Sequence, residues 1–352
     1  MKKVTINCEK LNHSNTGLFH YCAQLSRALL ATQPVDIELQ VYAPAKAAML
    51  FQPGTRLLNQ HSWHKLFNPN NFTCDLWHAT NQDKAYFPKG NAKKVITVHD
   101  LNYFNDPGRS VVKKKYFLNN LQKMIERSHH LVCISNYTLD ELKTHIPISI
   151  PASVVYNGCN VSRDIAATMP VTKPAGDFIF TIGTITDKKN FHVLPALLAG
   201  NDYKLVIAGD VHRQAYQDKI IDVAKQLGVA GRVIFAGAIT EGEKYWYYQN
   251  CIAFAFPSLQ EGFGLPVVEA MAFGKPLFLS DKTSLPEIGG TDAFYFDNFE
   301  PEHMVAIFSE KLKYYELNKP ELAAKLIARA RTFSWNEAAK QHWRIYSDLL
   351  TA

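Results

Sequence analysis

The segment Phe256-Pro-Ser-Leu-Gln-Glu261-Gly-Phe-Gly264-Leu-Pro266-Val-Val-Glu269-Ala-Met-Ala-Phe-Gly274-Lys-Pro276 decides how this chain is read. The apolar run Ile252–Phe256 reads as a buried strand. A glycine-containing loop follows, from Glu261 to Gly264. Pro266 suits the first helical position, Gly274 suits the residue just past the end, and Pro276 lies beyond it. The order is strand, loop, short helix. Glu261 falls in the loop, and Glu269 falls about one turn into the helix.

That order has a chemical consequence. In a parallel sheet the carboxyl ends of strands and the amino ends of helices line the ligand crevice. Backbone N–H groups of Gly262, Phe263, Gly264 and Leu265 then face a bound anion, helped by the helix dipole. The two carboxylates accept hydrogen bonds from hydroxyls at different distances along one ligand. An anion with hydroxyls on both sides of it describes a sugar nucleotide well.

Working outward, the same alternation fills the chain. Val4–Asn7, Ile37–Tyr42, Leu76–Ala79, Val95–His99, Leu131–Ser135 and Val154–Tyr156 read as strands, with Gln24–Ala31 and Val111–Arg127 as helices. The pattern restarts at Phe178–Ile182 and continues through Lys204–Ala208, Val233–Ala236, Ile252–Phe256, Pro276–Ser280 and Ala293–Phe296. Strands separated by helices predict α/β domains with parallel sheets. Val161–Asp177, with Pro170, Pro174 and Gly176, reads as the linker. The last helix opens on a capping-box pattern, Ser334 and Glu337, and repeats Trp335, Ala339, His342, Trp343, Tyr346 and Leu349 at helical spacing.

Composition agrees with this and adds little. The 352 residues suffice for about two domains. A hydrophobic share of 47% excludes a disordered chain. The net charge of +6 favours an anionic ligand or surface but is too small to indicate nucleic acid. Cys8, Cys22, Cys74, Cys133, Cys159 and Cys251 form no C-x-x-C pair and read as reduced thiols. No run reaches the ~18 apolar residues of a membrane span. The amino terminus lacks the apolar core of a signal peptide. A cytoplasmic protein is expected. No G-x-G-x-x-G follows the first strand, which argues against a nicotinamide dehydrogenase.

Glu261 and Glu269, seven residues apart within Pro-Ser-Leu-x-Glu-Gly-Phe-Gly-Leu-Pro-x-x-Glu-Ala-Met, resemble the E-x7-E signature of retaining glycosyltransferases of family four, group 1. The similarity extends through Val95-Ile-Thr-Val-His-Asp-Leu, Val132-Cys-Ile-Ser-Asn-Tyr, Val155-Tyr-Asn-Gly, Gly183-Thr-Ile-Thr-Asp-Lys-Lys-Asn, Phe235-Ala-Gly-Ala-Ile and Ser284-Leu-Pro-Glu-Ile. It is strong in the carboxyl half. In the amino half it is confined to the two ends and the surroundings of His99.

The resemblance implies the GT-B fold: two Rossmann-like α/β domains whose parallel sheets face across a cleft. Residues 1–165 with 335–352 would bind the acceptor, and residues 166–334 the sugar nucleotide, with the C-terminal helix crossing back to the N-terminal domain. It also implies roles. Glu261 holds donor-sugar hydroxyls, Glu269 the nucleotide ribose, and Lys189 the diphosphate. A compact ammonium there stabilises charge building on the leaving group. Lys188 occupies a position where the family often has Arg. Thr184 stands where a second Arg is common. Gly17, after Ser14-Asn-Thr, and Gly183 would let backbone approach phosphate. His99 would lie near the reacting sugar. Asp100, His78 and Asn81 are weaker acceptor-site candidates. No Asp-x-Asp pair occurs, so the resemblance implies no metal cofactor and a GDP- or UDP-linked donor.

The family's acceptors are often lipid-linked. The helix from Arg109 to Arg127 carries five further Lys/Arg beside Leu118, Leu121 and Ile125. It reads either as a core-packed helix with a solvated basic face or as a contact to anionic lipid. The resemblance points to hexose transfer in surface-polysaccharide or lipopolysaccharide synthesis, with mannose from GDP-mannose favoured. A UDP-hexose-dependent transferase, an epimerase or phosphorylase of similar shape, and a non-catalytic nucleotide-sugar-binding scaffold are the alternatives.

Overall fold

Strands that are apolar on both faces belong inside a parallel sheet covered by helices, and the chain builds two such sheets. The computed structural model describes residues 1–13, 16–65, 73–83, 86, 90–161 and 165–351. The chain divides into two compact units, Met1–Asn160 with Phe333–Ala352, and Val161–Thr332.

The first unit contains β1 (Lys2–Asn7), α1 (Gly17–Ala31), β2 (Ile37–Ala43), β3 (Arg56–Asn59), β4 (Leu76–Ala79), β5 (Lys93–Val98), α2 (Asn102–Asn105), α3 (Val111–Glu126), β6 (His130–Cys133), α4 (Asn136–His145) and β7 (Ala152–Val154). Its seven strands are parallel, in the order β3-β2-β1-β4-β5-β6-β7. Chain order reverses between β1 and β4, which places the ligand crevice of such a sheet at their carboxyl ends.

The second unit contains β8 (Phe178–Ile182), β9 (Lys204–Ala208), α5 (Gln214–Gln226), β10 (Val233–Gly237), α6 (Glu241–Asn250), β11 (Ala253–Phe256), α7 (Leu265–Ala272), β12 (Leu277–Ser280), α8 (Leu285–Gly289), β13 (Phe294–Phe296), α9 (Pro301–Leu317) and α10 (Lys319–Thr332). Its six parallel strands run β10-β9-β8-β11-β12-β13, so the reversal lies between β8 and β11. All four residues of β11 and all four of β12 are buried, which is why β11 is a continuous apolar run and β12 is apolar up to its last residue, Ser280.

Three sequence expectations need correcting. The short edge strand β3 goes unnoticed because its Arg-Leu-Leu-Asn is half exposed and starts on a charge. β7 lies two residues upstream of the expected 154–156, again at a weakly buried edge. The stretch read as a linker packs on the second unit: Thr168 N–H donates to the Gly242 carbonyl at 2.9 Å, and Thr172 Oγ1 meets Tyr247 Oη at 2.7 Å. Residues 162–164 of that stretch lie outside the described residues.

The last helix, α11 (Trp335–Thr351), belongs to the first unit and packs on α1. Glu337 N–H donates to Ser334 Oγ at 3.4 Å. A complete capping box, with both reciprocal bonds, is found instead at Thr240 and Glu243, opening α6. The α11 anchor is polar. Tyr346 Oη meets His78 Nδ1 at 2.6 Å, and Trp343 Nε1–H donates to Thr32 Oγ1 at 3.2 Å. His342 Nδ1–H donates to the Ala338 carbonyl at 2.8 Å.

His78 and His342 are 0% and 1% exposed, so each is held neutral. Burial pushes the His342 pKa down to about 4, and burial with the neighbouring His342 and His99 rings pushes His78 well down. The native state therefore refuses protons that the unfolded chain accepts near pH 6.5. Stability is at its full value above that pH and falls on acidification, by up to about 1.4 kcal/mol per pH unit for each such histidine. We expect the urea midpoint of the first unit to drop between pH 7 and pH 5. His342→Gln should flatten that slope, and a midpoint independent of pH over this range contradicts the account.

Candidate functional site

At the reversal between β8 and β11, two loops meet. The loop after β8 runs from Gly183 to Asn190. The loop after β11 runs from Pro257 to Gly264. They are laced together: Leu259 N–H and Ser258 Oγ both donate to the Lys188 carbonyl, at 2.8 and 3.2 Å. The geometry depends on two glycines. A Cβ on Gly209, where φ is +128°, would stand 2.2 Å from the Gly183 carbonyl oxygen. The loops after β8 and β9 therefore touch backbone to backbone. Gly264 caps α7 at φ +101°, a left-handed conformation that directs the chain straight into the helix.

Lys189 Nζ pairs with Glu261 Oε1, and the ammonium lies 4.6 Å above the Phe256 ring. Ser258 Oγ, whose single proton is shared with the longer contact to the Lys188 carbonyl, donates to the same carboxylate oxygen at 2.7 Å. Their side chains are 11% and 14% exposed, so little water screens the pair. Burial alone would raise the Glu261 pKa. Lys189, Lys188 and the two hydrogen bonds outweigh it and hold the group ionised, below its ordinary value. The backbone of the same residue is gripped too. Thr283 Oγ1 accepts Glu261 N–H at 3.1 Å, and the single Ser284 hydroxyl proton is shared between the Glu261 and Phe263 carbonyls, at 3.0 and 3.1 Å.

Glu269 points inward from α7 and is 4% exposed. Its Oε1 accepts from Lys244 Nζ at 3.0 Å and its Oε2 from Tyr248 Oη at 3.1 Å. Lys244 also reaches Glu241 at 3.0 Å. Burial acts to lower the Lys244 pKa, but Glu269 and Glu241 reverse that and raise it, so the ammonium stays charged. Lys244 is absent from the sequence reading. Its spacing from Glu241 looks like an ordinary helix-surface ion pair, and only the packing of α6 on α7 buries it. Gly209 carries the same sequence signal as Gly183, a glycine directly after its strand, β9.

In the first unit, His99 directly follows β5 and is 7% exposed. Its Nε2–H donates to the Thr80 carbonyl at 2.7 Å, and the Tyr21 ring meets it edge-on at 4.5 Å. Burial keeps its pKa low against the raising effects of that carbonyl and Asp100. His99 is thus a neutral imidazole with Nε2 committed and Nδ1 carrying the lone pair, a hydrogen-bond acceptor. Asp100 Oδ1 accepts Asn102 N–H at 3.0 Å, a turn-forming contact. Asn81 Oδ1 accepts Asp83 N–H at 2.7 Å, and its buried Nδ2 has no partner among the described residues. Gly17 is the first residue of α1, exposed, and a Cβ there would meet nothing within 4 Å. Ser14 and Asn15 before it lie outside the described residues.

His78 corrects an expectation. It is fully buried and does not face the crevice, with both ring nitrogens bonded in the interior, Nε2 to Thr97 Oγ1 at 2.7 Å and Nδ1 to Tyr346 Oη. At a strand end, a histidine facing the crevice and one facing a covering helix have the same sequence signature.

Residues 170–333 match the family described as Glycosyl transferases group 1, and residues 70–163 match Glycosyltransferase Family 4. The chain belongs to the group 1, family 4 glycosyltransferases. Among curated proteins, this glycosyltransferase is 29% identical over 313 residues to the O-antigen chain mannosyltransferase RfbU of Salmonella typhimurium, covering 82% of this chain and 85% of that one. It is 29% identical over 273 residues to the serotype-specific mannosyltransferase WbdA of Escherichia coli, covering 70% of this chain but 32% of WbdA. The match therefore spans about a third of that larger protein. The sucrose-phosphate synthase of Thermosynechococcus elongatus has the same fold, with a TM-score of 0.80 at 17% identity over the whole of both chains. Anabaena HepE, solved with UDP and glucose, gives 0.76 at 17% identity over 99% of this chain and all of that one. Among the described residues no cluster of three or more His, Cys, Asp or Glu side chains is arranged to hold a metal ion, and no helix is long and apolar enough to cross a membrane.

Proposed function

We propose that this glycosyltransferase moves a mannosyl residue from GDP-mannose to a glycan or lipid-linked acceptor, with retention of anomeric configuration, in surface-polysaccharide synthesis. The observation that carries the reading is the water-poor Lys189–Glu261 pair at the β8/β11 reversal, beside the amino end of α7. The mannosyltransferase relatives favour the sugar.

In this reading the diphosphate lies against Lys189, Lys188, Gly183 and the α7 amino end. Glu261 accepts from donor-sugar hydroxyls while Lys189 turns to the phosphate. Glu269, fixed by Lys244 and Tyr248, accepts from the ribose. The bond between the anomeric carbon and the phosphate oxygen breaks as the acceptor oxygen adds to the same face. The acceptor's proton passes to the departing phosphate. Lys189 and the helix dipole stabilise the charge that develops there, so no step calls for a metal ion. His99, through Nδ1, accepts a hydrogen bond from a hydroxyl of the sugar or acceptor, and Asn81 and Asp100 line the acceptor side.

The test is direct. Purified protein is offered GDP-mannose, UDP-glucose and UDP-galactose with a membrane-lipid extract as acceptor. Nucleotide release is measured, and the product's anomeric configuration is read by NMR. Mannose transfer with retention is expected. Turnover of a UDP-hexose alone moves the donor assignment to the alternative reading. Tight binding without turnover of any donor supports the scaffold instead.

A membrane-facing reading has its own observation. Val111, Val112 and Tyr116 on α3 are 80%, 77% and 61% exposed, beside exposed Lys113 and Lys115. Arg109, just before the helix, stacks on Tyr103 at 4.6 Å. Apolar side chains flanked by cations are what an anionic lipid surface takes up. We expect flotation with phosphatidylglycerol vesicles at low salt, reduced by Val111→Asp/Val112→Asp. No flotation at low salt removes this reading.

A further inference from the structure

Among the described residues, two that are not glycine have a left-handed backbone: Asn190 at φ 58° and Thr283 at φ 55°. Both border the Lys189–Glu261 pair. Asn190 immediately follows Lys189 and ends its turn. Asparagine tolerates this conformation well. Thr283 does not, because a β-branched side chain crowds the neighbouring carbonyl when φ is positive. Such a residue persists only where its surroundings over-determine it.

Two contacts run from this turn to Glu261. Thr283 Oγ1 accepts the Glu261 N–H, and the next residue, fully buried Ser284, donates to the Glu261 carbonyl. The peptide groups on both sides of the Glu261 side chain are thereby held by the loop that follows β12. That loop is anchored in turn: Ser280 Oγ bonds the Ser258 carbonyl, while Ser258 Oγ reaches the Glu261 carboxylate. If φ at Thr283 relaxed, Oγ1 would swing away from the Glu261 N–H. The carboxylate would then be free to follow Lys189 wherever a bound diphosphate drew it.

We infer that Thr283 is a positioning residue for the donor sugar. It is kept in a strained conformation so that Glu261 stays in place when Lys189 transfers its contact to phosphate. The inference rests on the reading of Glu261 as the residue that holds donor hydroxyls. It differs from a stability role in a measurable way, because strain relief and loss of positioning act on different quantities.

The test compares wild type, Thr283→Gly and Thr283→Ser in the intact chain. The readouts are the thermal midpoint, kcat, and calorimetric affinities for GDP and for GDP-mannose. Thr283→Gly removes the strain and the Oγ1 contact together. Its midpoint should stay within a few degrees of wild type, while kcat falls about ten- to a hundredfold, the scale on which small misplacements act. GDP affinity should change less than about threefold, while the extra affinity for the intact sugar nucleotide is lost. Thr283→Ser keeps Oγ1 and should restore kcat to within about threefold. Wild-type kcat and sugar preference in Thr283→Gly overturn the inference. So does a lowered midpoint with parallel losses of GDP binding and kcat, which marks a purely structural residue. A wild-type protein that neither binds nor turns over sugar nucleotides defeats the underlying reading, and is told apart because it fails before any substitution is made.

Discussion

Lys189→Ala lowers transfer by about 10²- to 10³-fold while the protein still folds, the loss expected when one preorganised group facing the leaving charge is removed. The reason is in the geometry. The ammonium is largely shielded from water, so its field at a neighbouring phosphate is weakly screened. Removing it acts twice. The leaving diphosphate loses its cation, and Glu261 loses the nearest charge that keeps its buried carboxyl ionised. Lys189→Arg should recover part of the rate, since it restores charge with a different shape. The measurements are kcat, nucleotide affinity and the thermal midpoint of the pure variants. A Lys189→Ala protein within tenfold of wild type refutes the phosphate role.

Lys244→Met should be the most damaging single change to the second unit. Lys244 and Glu269 have side chains 8% and 5% exposed and bond at 3.0 Å. Removing one partner of a buried pair leaves an uncompensated charge and costs about 3–5 kcal/mol. The double variant Lys244→Met/Glu269→Gln should recover most of the lost stability, because the orphan charge is gone, while on the proposed reading nucleotide binding stays weakened, because a neutral amide replaces the carboxylate offered to the ribose. A double-mutant cycle from denaturation midpoints measures this. Additive losses in the double variant rule out the coupling.

Much of this was readable from sequence for a local reason. Ile252–Phe256 had to be a buried strand because its apolar run is unbroken, and Gly264, Pro266 and Gly274 punctuate the next helix through their own backbone preferences. Glu261 and Lys189 sit in loops that such punctuation delimits, so their place at strand ends followed without knowing any long-range contact.

What the tertiary structure decided are the partners. Lys244 lies 25 residues from Glu269 in sequence, and its spacing from Glu241 describes a solvated pair until α6 packs against α7. His78 is 268 residues from Tyr346, so nothing near it could say that α11 would cover it. Thr283 violates its own local preference, and sequence reasoning, which sums local preferences, predicts against such a residue. The chain's periodicity and glycines set which elements form and where their loops begin. Which side chains are buried together, and therefore which charges are compensated and which backbone is strained, depended on contacts between residues far apart in the chain, and burial energies appear only when those contacts are made.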